Sequence, residues 1–236
     1  MYPRSTGVNG VKIPRPDRTE AAEYYFRYID QVQGEDVCRT LETQRDETVA
    51  LLRGVSDEKS LHRYAPDKWS IRQVVGHVSD AERLFVSRAF WFARGFDTPL
   101  PSFDQNTAMA AAGFDDRSWT SLVDEFRAVR DSTLSFFQSL PSDAWTRRGI
   151  ASDNPFTVRA LAYVTIGHVA HHLAILRQRY LTVLILALVM FSTACASHAK
   201  SASVPPVAPR SAVVLRPPEL LAPPEGAVLT FFSRIA

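Results

Sequence analysis

Cysteine is scarce in this chain of 236 residues, which has only Cys38 and Cys195. They form no CxxC pair, so neither a disulfide framework nor a thiolate zinc site can be built, and a reducing cytosol suits the main domain. Net charge is scarce too, at +2 from 27 basic and 25 acidic residues. Even that excess is local. Lys200, Arg210, Arg216 and Arg234 face only Glu219 and Glu225 after residue 181, so the first 181 residues are neutral. A neutral domain offers no electrostatic footprint to a phosphate backbone, which excludes nucleic acid as the expected partner. Residues 1–18 lack a secretory h-region and, with Pro3, Pro14 and Pro16, read as an irregular arm. Tryptophan is missing after residue 150, where seven of the 15 prolines gather between Pro205 and Pro224. Large anchors on one side and prolines on the other describe a packed domain over 19–181 and a disordered Pro-rich tail over 198–236.

What the domain does have is helical period. A short helix around Ala21–Val32 carries Tyr24, Tyr25, Tyr28 and Ile29. Four longer segments follow. Val37, Leu41, Thr48, Leu51 and Leu52 share one stripe between Asp36 and Arg53, with Gly54 placed as a stop. The second starts at Ser70, a cap answered by Gln73, and runs through Val74, Val78, Ala81 and Phe85 to Gly95. The third carries Trp119, Leu122, Phe126, Val129, Thr133, Phe136 and Leu140 and ends at Pro141. The fourth runs from about Thr157 to Tyr180. With no alternating strand pattern between them, these segments predict an all-α four-helix bundle. Residues 96–117 make an unusually long crossover between the second and third helices, a candidate wall or lid for a pocket.

Three of the six histidines lie in Gly167–His172. His168 and His172 are one turn apart and project from one face, shared with Leu161, Thr165 and Ile175, that looks into the bundle. Two neutral imidazoles buried together need partners for a donor and an acceptor each, and charged ones repel. A divalent metal accepting both lone pairs resolves this. His77 lies three residues after Val74 and four before Ala81, so it also faces the core and supplies a third nitrogen. Three protein ligands and an open position are the pattern of a catalytic metal site. Asp80, one turn after His77, is a candidate to orient an imidazole, polarise a bound water or contact substrate. The competing structural reading makes the histidines a satisfied polar cluster. His171 falls off the stripe, and His62 and His198 read as solvated.

The run Tyr64-Ala-Pro-Asp-Lys-Trp69-Ser-Ile-Arg-Gln-Val-Val-Gly-His77-Val-Ser-Asp80-Ala-Glu82-Arg, the loop Pro99-Leu-Pro-Ser-Phe-Asp104-Gln and the helix Gly167-His168-Val-Ala-His-His172-Leu together resemble the DinB-like superfamily over about residues 20–181. The resemblance implies a four-helix bundle with a long crossover and a metal held by His77, His168 and His172. It also implies a metal-dependent transferase that joins a low-molecular-weight thiol, such as bacillithiol or mycothiol, to electrophilic small-molecule substrates. The alternatives are a metal-dependent hydrolase and a non-catalytic metal- or ligand-binding bundle with a membrane-tethered tail. Three imidazoles and a water suit zinc, nickel, iron(II) or manganese. A homodimer is left open, and the family name, which refers to damage-inducible expression, implies a bacterial stress-response protein.

From Tyr180 to Ser197 the chain has 18 uncharged residues, at the lower bound for spanning a bilayer. Arg177 and Arg179 precede them, so a single span would tether a cytoplasmic domain to the inner membrane. The same stretch resembles a lipoprotein signal ending at Cys195. The apolar segment 182–197 therefore has three readings: a membrane anchor, a fused neighbouring reading frame, or an extra helix packed on the bundle.

Overall fold

A computed structural model describes residues 12–181. The expected apolar segment, the Pro-rich tail and the first 11 residues of the arm lie outside the described residues. Arg18–Glu20 and Glu23–Tyr25 form 3-10 turns leading into α1 (Phe26–Ile29), so the expected short helix is broken into single turns. Then come α2 (Val37–Arg53), α3 (Asp57–Ser60), α4 (Ile71–Ala93), α5 (Gln105–Ala112), α6 (Trp119–Gln138), a hairpin of β1 (Arg148–Ala151) and β2 (Asn154–Thr157), and α7 (Val158–Ile175). A π-helical turn, Leu176–Leu181, continues α7.

Each long helix starts at a side-chain cap that satisfies backbone N–H groups left open by the first turn. Asp36, Ser118 and Thr157 cap α2, α6 and α7, and Ser70 with Gln73 makes the full capping box of α4. Gly54 does end α2, but from the right-handed region (φ −76°) rather than the left-handed one usual for a glycine stop. α4 packs on α6 and α7, and α2 packs on the same two, so α2 and α4 lie across a diagonal.

Two features within the connections depart from the sequence reading. The crossover holds a helix, α5, capped by Asp104 and closed by Gly113 in the left-handed region (φ 58°). Before α7 the chain makes a two-stranded antiparallel hairpin, Arg148↔Thr157 to Ala151↔Asn154. Its turn places Ser152 and Asp153 at φ 51° and 59°, the conformation that Asn-Gly usually announces. The start of the crossover docks on this hairpin: Leu100 N–H donates to the Ile150 carbonyl and Ser152 N–H to the Leu100 carbonyl.

The core is two apolar clusters separated by a polar layer. One cluster takes Leu41, Ala81, Phe85, Leu134, Leu161, Val164 and Ile166; the other takes Val49, Leu52, Val74, Val78, Phe126, Val169 and Leu173. Between them Arg130 donates through Nε and Nη2 to both Glu82 oxygens at 2.8 Å, and the pair is 0% and 1% exposed. Arg130 Nη1 reaches Gln44 Oε1 at 2.8 Å, and Gln44 Nε2 donates to the Ile166 carbonyl at 2.9 Å. Drawing Arg130 inward turns the second half of α6. Arg130, Thr133, Leu134 and Phe137 are buried there, whereas Val129, Phe136 and Leu140 on the expected stripe are half-buried. A second buried carboxylate, Glu20, receives Arg159 Nε at 2.6 Å and Thr157 Oγ1 at 2.7 Å, tying the N-terminal arm to the start of α7.

Replacing one member of a buried pair strands the other, so Glu82→Gln should cost about 3 kcal/mol, read as a lower urea midpoint with unchanged slope. Burial alone would raise the Glu20 pKa, but hydrogen bonds from Arg159, Thr157 and the Asp17 N–H outweigh it and hold the carboxyl at about 2. The native state thus binds this proton less readily than the unfolded chain. The stabilisation is complete above the ordinary glutamate value of 4.5 and is lost as pH falls through about 2. Glu20→Gln should accordingly flatten the acid side of the stability curve in that window.

Candidate metal centre

The cap at Ser70 sets the phase of α4 so that His77 faces the interior, and the Thr157 cap does the same for His168 and His172 on α7. His168 Nε2 lies 3.2 Å from His77 Nε2 and 3.0 Å from His172 Nε2. All three residues are buried, and one ligand atom from each lies within 4.8 Å of the others. Burial penalises the charged imidazoles, taking His77 down to about 3 and His168 and His172 well below the ordinary histidine value. The rings are therefore neutral across the physiological range, with lone pairs available.

This donor set fits a metal. A neutral imidazole Nε2 is either one donor or one acceptor, so His168 Nε2 can make a hydrogen bond with only one of its two neighbours. A cation accepts all three lone pairs instead. Nitrogens each about 2.0–2.1 Å from one tetrahedral or octahedral ion lie about 2.9–3.4 Å apart, the range into which both observed separations fall. His77, His168 and His172 are thus the residues that could hold a metal ion.

Aromatic rings close the centre. The Trp69 indole lies 5.0 Å from the His77 ring between centroids, and Tyr28 and Phe85 pack T-shaped on His168 at 5.4 and 5.5 Å. Two glycines allow this packing. A Cβ on Gly167 would come within 2.0 Å of the Tyr28 carbonyl, and one on Gly76 within 2.5 Å of the Phe114 ring that ends the crossover.

Asp80 lies outside this cluster of rings. Arg83 donates to its carboxylate at 3.0 Å and also to Glu125 at 2.6 Å, in a network that joins α4 to α6. Burial raises the Asp80 pKa, opposed chiefly by Arg83. His171 is half-buried between Tyr28 and His172. His62 is part-exposed beside Tyr180, and His198 lies outside the described residues. Sequence reasoning missed the Glu82–Arg130–Gln44 layer beside the histidines. The signal was there: Glu82 falls between Val78 and Phe85, and Arg130 between Phe126 and Leu134, charges set into apolar stripes.

Residues 40–176 match the model of the DinB superfamily. Among solved structures, the chain is similar to YfiT from Bacillus subtilis, described as a probable metal-dependent hydrolase with an unusual four-helix bundle topology. That match has 15% identity and a TM-score of 0.51, over 70% of this chain and 90% of that one. It is similar also to the mycothiol-dependent maleylpyruvate isomerase, at 12% identity and a TM-score of 0.52, over 61% of each chain. This chain thus spans less than two thirds of the isomerase. No curated protein sequence gives a significant match. Among the described residues, no helix is long and apolar enough to cross a membrane.

Gly167→Ala would drive a methyl group into backbone, which cannot rotate aside as a side chain can. It should lower stability by at least about 2 kcal/mol in thermal or urea unfolding. An unchanged midpoint would show that α1 is not seated on α7 at this point.

Proposed function

The chain belongs to the DinB superfamily, and on that premise we propose that it binds one divalent metal through His77, His168 and His172 and uses it to transfer a low-molecular-weight thiol to an electrophilic small molecule. The observation that carries the reading is the convergence of three buried, neutral imidazole nitrogens at 3.0 and 3.2 Å. Three neutral ligands leave the ion its full charge, so the metal would lower the pKa of a coordinated thiol or water and supply a nucleophile at neutral pH. The protein's own contribution is to hold the imidazoles in one protonation state and orientation. Trp69, Tyr28 and Phe85 keep bulk water from the rings. Metal-assisted hydrolysis is the second reading, favoured by the likeness to YfiT and its description as a probable metal-dependent hydrolase. Zinc or nickel suits the nitrogen donors best, with iron(II) and manganese as the other candidates.

Elemental analysis of tag-free protein should find close to one divalent metal per chain, and alanine at any of the three histidines should remove it. The metal-loaded protein should then consume an epoxide or chlorinated electrophile only when a biological thiol is present. Consumption without thiol would replace transfer by hydrolysis. Full metal content with neither reaction would leave a non-catalytic metal-binding bundle.

A further inference from the structure

We propose that the cleft on the far side of Trp69 holds the substrate, and that the Trp69 indole is the movable wall between that cleft and the three-histidine centre. The inference rests on the metal reading above. The three imidazoles are 3% exposed or less, so a reacting molecule must pass the side chains packed on them. On the His77 side one of these side chains is Trp69. Trp69 packs on His77 and also lines an open cleft of about 270 Å³ with Arg63, Lys68, Gln73, Asn106 and Met109. This is close to the lower end of ligand-pocket volumes, about 300–1,000 Å³. Tyr28 and Phe85 do not line this cleft, whereas Trp69, though 5% exposed and part of the second apolar cluster, does.

The backbone around Trp69 is fixed. The Tyr180 hydroxyl donates to the Trp69 carbonyl at 2.7 Å, and Ser70 both caps α4 and donates to Asp115 at 2.5 Å. Opening therefore falls to rotation of the indole itself. The charges around the cleft are paired, Arg63 with Asp115 at 2.6 Å and Lys68 with Asp67 at 3.9 Å, and Gln73 and Asn106 add amides to the lining. A small polar molecule with hydrogen-bonding groups suits this surface.

The test loads the full chain with cobalt(II) and follows its removal by pyridine-2,6-dicarboxylate, a dianion, and by neutral 1,10-phenanthroline. Trp69→Ala should speed removal by both at least about tenfold, because the wall is gone. Asn106→Trp, which fills the cleft from its partly exposed side, should slow both at least about fivefold. Lys68→Glu should slow the dicarboxylate alone, by about threefold. Equal rates in wild type and Asn106→Trp would overturn the cleft assignment even if Trp69→Ala fails to fold. A wild-type protein that takes up no cobalt would overturn the metal reading itself, and this proposal with it.

Discussion

The bidentate contact between Arg130 and Glu82 draws one group from each of the four long helices into a single layer. Glu82 comes from α4, Arg130 from α6, Gln44 from α2 and the Ile166 carbonyl from α7. Such a pair need not stabilise the fold more than apolar side chains of the same volume would, because desolvation offsets most of the attraction. Its contribution is register. Apolar surfaces tolerate sliding, whereas hydrogen bonds of 2.8–2.9 Å are lost if any helix slips by one turn of about 5.4 Å. The layer also separates the two apolar clusters, so each helix has one position at which its polar group meets the others.

That register places the histidines. Ile166, whose carbonyl accepts from Gln44, is two residues before His168, and Glu82 is five residues after His77. Fixing α4 against α7 at the polar layer brings His77 and His168 to the same depth one turn or so away. Gly167 then lets the Tyr28 backbone come close enough for its ring to reach His168. The ordering of costs is consistent. Charges are buried only where they are paired, and the imidazoles beside them are kept neutral by the loss of water. A dry pocket of neutral nitrogen donors has little affinity for protons at neutral pH, which removes the main competitor for a metal.

The four long helices were legible because caps and apolar period agree. Asp36, Ser70 and Thr157 stand where the helices begin, and the stripe through His77, His168 and His172 faces inward. What escaped has a physical reason in each case. The hairpin turn uses Ser152-Asp153 rather than a glycine, and strands of four residues are too short to show alternation. The helix α5 is a run of small residues with little amphipathic contrast, although Asp104 and Gly113 mark its ends. The inward turn of α6 at Arg130 could not be read from α6 alone, since an arginine is buried only if a distant carboxylate awaits it. The closeness of Tyr28 to Gly167 belongs to tertiary packing, and a glycine in a helix states only that something is near.

The crossover explains why one side chain, and not a loop, is the movable part of the site. Its start is fixed by Leu100 on the hairpin and by Arg88, which donates to the Pro101 carbonyl and to Ser152 Oγ. Its end is fixed at the first turn of α4. Asp115 accepts from Ser70 and Arg63, Arg72 donates to the carbonyls of Asp115 and Arg117, and Phe114 lies against Gly76. A segment pinned at both ends by hydrogen bonds, most of them part-buried, cannot open as a lid without breaking several of them together. The helix between those anchors therefore holds one wall of the cleft at constant width. The turn that carries Trp69 is held by the same bonds, which leaves rotation of the indole as the motion open to this wall. The rigid crossover and the rigid helix register thus serve one purpose: they confine change at the three-histidine cluster to a single ring.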